Sequence, residues 1–78
     1  MEAVSISRAI ELALEGLGTE EQGLLRAYLH GRDDSAKLKN KVRPEVCQAV
    51  VTRISSQKLA GNGVNELLSR AGALVRRS

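Results

Sequence analysis

Ile6, Ala9, Ile10, Ala13, Leu14 and Leu17 fall at i, i+3, i+4, i+7, i+8 and i+11. That spacing draws one apolar stripe along a helix of 3.6 residues per turn, and a strand, with its period of two, would scatter the same residues over both faces. Ser7, Arg8, Glu11 and Glu15 lie off the stripe, while Leu12 sits beside it and widens the apolar face. The same period returns in Val64, Leu67, Leu68, Ala71, Leu74 and Val75, and in shorter form in Leu24, Leu25, Tyr28 and Leu29. Val46, Cys47, Val50, Val51 and Ile54, extended by Leu59, are rich in β-branched side chains that suit a strand. Their i, i+1, i+4, i+5, i+8 spacing is nevertheless helical.

Local signals set the boundaries. Ser5 is placed to cap the first helix, and Gly16 and Gly18 mark its exit. Thr19-Glu20-Glu21-Gln22 reads as a capping box, with two glutamates at the positive end of the helix dipole. Gly31 ends that second helix, and Gly23 inside it costs about 1 kcal/mol against alanine unless a neighbouring backbone packs closely there. Pro44 suits the first position of a third helix and forbids helix just before it. Ala60-Gly61-Asn62-Gly63 is a turn. The expected fold is all-α: a bundle of four short amphipathic helices near 5–17, 20–30, 44–59 and 64–76. Residues 35–41 form either a short extra helix capped by Asp34 or Ser35, or a basic linker.

Seventy-eight residues form one domain, whose folding removes only about 60% of the unfolded chain's surface from water. The core is aliphatic as well as small, since Trp and Phe are absent and Tyr28 is the one aromatic. Domains of this size gain stability from disulfides, metals or association. A single cysteine, Cys47, excludes an internal disulfide, and a single histidine, His30, leaves the usual four-ligand zinc site without donors. Association is what remains, so a homodimer or an obligate protein partner is expected. The start of the chain lacks a basic region, and Arg8, Glu11 and Glu15 interrupt its apolar stretch. Neither a signal peptide nor a membrane span is expected there, and the expected setting is a reducing cytoplasm.

Charge is uneven. In residues 1–31 two arginines against five glutamates leave −3, and in residues 32–78 ten Lys and Arg against four acids leave +6. The basic half suits an anionic partner, and the asymmetry equally suits an acidic half meeting a basic one.

Two binding readings follow. In the first, another protein docks on helix faces, with Leu12, Leu25 and Leu59 as apolar residues left over from the core. In the second, residues 44–76 form a helix-turn-helix-like unit and the fourth helix enters the DNA major groove. Asn65, Ser69 and Arg70 would then meet base edges, with Arg76 and Arg77 near phosphates. Lys37, Lys39, Lys41 and Arg43 would add a second phosphate-binding cluster. Glu66, in the first turn of that helix, works against this reading, and the lack of interleaved aromatics argues against single-strand stacking. Catalysis is not expected. His30 lies near Asp33 and Asp34 but reads as a polar helix end, and Cys47 falls on an apolar stripe. No phosphate loop, dinucleotide fingerprint or calcium loop is present, so no cofactor is expected. A membrane-surface role is disfavoured by the missing Trp and Phe. The first reading, a small non-enzymatic regulator or adaptor, is the expected function.

Overall fold

The structure is a computed structural model and describes residues 3–38 and 40–77. It contains four α-helices: α1 (Ile6–Leu14), α2 (Thr19–Leu29), α3 (Pro44–Ser55) and α4 (Val64–Arg77), with a 3₁₀ turn at Ser35–Leu38 between α2 and α3. The class is all-α, as the periodicity requires. None of the described helices is long and apolar enough to cross a membrane.

Ser5 caps α1 by accepting the Arg8 N–H at 3.3 Å. The helix then stops at Leu14, three residues before the expected end. Glu15 leaves helical geometry at ψ 137° and Gly16 adopts φ +83°, so Leu17 reaches the core from a loop. The capping box does not form. Gly18 is the N-cap of α2, Thr19 is already helical, and Gln22 donates its Nε2–H to the Leu14 carbonyl at 2.8 Å. The glutamine thus closes the end of α1 rather than the start of its own helix. Gly31, at φ +81°, ends α2 as expected.

The segment between α2 and α3 is neither a seven-residue helix nor a solvated linker. Asp34 Oδ1 accepts the Ala36 N–H at 3.0 Å and starts the short 3₁₀ turn. Leu38 and Val42 are both buried and pin the segment to the core. Pro44 takes the first position of α3. That helix ends at Ser55 rather than near 59. The Ser56 hydroxyl donates to the Arg53 carbonyl at 2.9 Å, and the chain turns away. It runs beside the N-terminal segment in an isolated parallel bridge, Val4 to Leu59. The Val4 N–H donates to Lys58 at 2.7 Å, and the Ala60 N–H donates to Val4 at 3.1 Å. Gly61 and Gly63, both at positive φ, complete the turn into α4.

One hydrophobic cluster joins all four helices. Ile10 and Leu14 from α1, Leu25 and Leu29 from α2, Val50 and Ile54 from α3, and Leu67 and Leu74 from α4 lie at its centre. Tyr28, on the edge of this cluster, donates its hydroxyl to the Arg70 carbonyl at 2.8 Å and ties α2 to α4. The Cα radius of gyration is 11.4 Å, against about 11.5 Å for a fully compact chain of this length. A thin aliphatic core therefore still packs to ordinary compactness. The most extensive helix pair is α3 with α4.

Candidate functional site

Helix α4 presents the surface of interest, because its faces separate cleanly. Leu67, Ala71 and Leu74 point into the core. At 100° per residue, Val64, Leu68 and Val75 share an arc of about 40° beside that buried face. Leu68 is 42% exposed and is the one exposed large hydrophobic side chain among the described residues, while Val64 and Val75 are half-buried. Past Gly72, the next arc of about 40° holds Asn65, Ser69 and Arg76, all exposed. The outer surface of α4 is thus an aliphatic strip flanked by a polar one.

Continuous with this polar strip, Asn65, Glu66, Ser69 and Arg70 line a shallow, open depression of about 310 Å³. Arg70 is half-buried and lies 3.7 Å from Glu66 one turn earlier. Its guanidinium also covers Gly31, where an added Cβ would stand 2.6 Å from Nη2. The arginine expected to read bases is therefore held between α4 and the end of α2.

The remaining cations of the DNA reading are dispersed. Lys37 is exposed and pairs with Asp33 at 3.4 Å. Lys41 and Arg76 are exposed, and the Arg76 guanidinium folds back toward Gly72. Arg43 reaches the Glu21 carboxylate with Nε and Nη2, each at 3.4 Å. Lys39 and the side chain of Arg77 lie outside the described residues. The hinge between α3 and α4 also departs from a helix-turn-helix, whose turn is about three or four residues. Here residues 56–63 intervene and are tied to Val4.

The three leucines expected to be surplus to the core are not equivalent. Leu25 is fully buried in the central cluster, so no partner reaches it in this conformation. Leu12 is half-buried on α1. Leu59 is half-buried, packs on the core from the loop, and is occupied in the bridge to Val4. Leu68 was assigned by periodicity to the buried stripe, and the structure turns it to solvent. Position beside Leu67 gives no signal of this, since the adjacent pairs Ala9–Ile10, Ala13–Leu14, Tyr28–Leu29 and Val46–Cys47 are each buried together.

Elsewhere the ionisable groups do structural work. Glu11 on α1 takes Arg26 of α2 in a two-pronged contact at 2.7 and 2.9 Å. The arginine's hydrogen bond, and then its charge, hold the Glu11 carboxyl below its ordinary range. Arg43 does the same to Glu21. His30 is the C-cap residue of α2 and Cys47 is buried on α3. Among the described residues no three His, Cys, Asp or Glu side chains converge as metal ligands would. No family model, no curated protein and no solved structure matches this chain.

Proposed function

We propose that this chain acts by binding rather than by chemistry, docking a partner protein against the outer surface of α4. The observation that carries the reading is the exposure of Leu68 between Val64 and Val75, an aliphatic strip at helical spacing on a rigid element. An apolar strip with a polar margin suits a partner that presents its own aliphatic helix ridge, with Asn65, Ser69 and Arg76 meeting its polar edge. Self-association belongs to the same proposal, since a small aliphatic core gains from further burial. A single cysteine placed in the core supports a reducing, cytoplasmic setting.

The test is a photo-crosslinking residue at position 68, with the same residue at exposed Glu20 on α2 as control, in cells that make the protein naturally. A discrete protein adduct from position 68 that is missing from position 20, and that Arg76→Glu weakens, is the expected result. Sedimentation then tells a second copy from a different partner. Equal or absent adducts at the two positions overturn the proposal.

DNA binding by α4 is the second reading, and the shared exposed face of Asn65, Ser69 and Arg76 favours it. We rank it second because Arg43 and Arg70 have acidic neighbours within the chain and the α3–α4 connection is long. Fluorescence anisotropy on random-sequence duplex DNA at ~50 mM and ~200 mM salt separates the two. Several phosphate contacts require an affinity loss of roughly 100-fold across that range. No binding at the lower salt removes the DNA reading.

A further inference from the structure

We draw no further inference here: the strongest candidate, the aliphatic flank of α4 formed by Val64, Leu68 and Val75, belongs to the site already described, and nothing in the structure shows what covers it.

Discussion

Gly23 and Gly31 lie in and just after α2, and their surroundings give opposite expectations for the same substitution. At Gly23 the backbone is ordinary helix, and an added Cβ would meet no atom within 4 Å. Close packing of another backbone, the reason a sequence reading finds for a glycine there, is absent. Gly23→Ala should therefore raise the unfolding free energy by about 0.5–1 kcal/mol in a urea titration. Gly31 sits at φ +81° beneath the Arg70 guanidinium. Gly31→Ala should lower stability by about 1–2 kcal/mol, the ordinary penalty for a side chain in left-handed geometry. A Gly31→Ala protein that melts higher than the parent would refute this assignment. Tyr28→Phe removes the hydroxyl bond to Arg70 and should cost about 1 kcal/mol with the fold retained.

The two ends of α1 show why some element boundaries are visible in a sequence and others are not. Its start is closed by Ser5, three residues from the amide it accepts, so local pattern finds it. Its end is closed by residues distant in sequence. Arg53 of α3 donates Nη1–H to the Ala13 carbonyl at 3.0 Å and to the Glu15 carbonyl at 2.7 Å, and Gln22 serves Leu14. The last carbonyls of a helix need partners, and here tertiary contacts supply them. Arg53→Ala should destabilise the protein by about 0.5–1.5 kcal/mol, the net worth of a hydrogen bond, because Arg53 and Glu15 are exposed and water reaches the freed carbonyls. Both bonds come from one nitrogen, so Arg53→Lys, whose ammonium also carries several N–H donors, should recover part of the loss. Hydrogen exchange at Leu17, whose amide bonds to the Leu14 carbonyl at 3.3 Å, would report fraying there. Unchanged protection in Arg53→Ala would count against the capping role. The early end of α3 has a similar origin: Lys58 and Ala60 pair with Val4, which lies at the other end of the chain.

At the scale of the whole molecule, two inter-element ion pairs couple the fold to acid. Glu11 and Glu21 have their carboxyl pKa values lowered from 4.5 in the folded protein, chiefly by hydrogen bonds from Arg26 and Arg43. The unfolded chain therefore binds these protons more readily than the folded one, and stability declines as pH falls. The contribution is complete above the ordinary value of 4.5 and disappears as pH drops through the lowered values. Thermal melts should accordingly stay flat from pH 7 to about 5 and shift downward below that. Glu11→Gln should flatten the acid limb, and both pairs, being at the surface, should weaken with salt. A Glu11→Gln profile that superimposes on the parent would remove this pair as a cause.

Periodicity alone determined that the chain is helical, how many α-helices it forms, and which residues make most of the core. Those are consequences of which side chains share a face, a property local to each segment. Tertiary structure decided the remainder. Leu38 and Val42 became core residues because packing drew in a segment too short and too charged to show a stripe of its own. Leu25 took its place in the core, while Leu68 stayed in water because its apolar stripe is wider than the seam into which α4 packs. Arg43 and Arg70, cations available to any partner when read as a string, were drawn to Glu21 and over Gly31 by elements that meet only in the folded chain, while Glu66 faces Arg70 from one turn earlier in the same helix. A linear pattern specifies the arc of a helix that is apolar. Which edge of that arc stays in water depends on where the neighbouring helices stop.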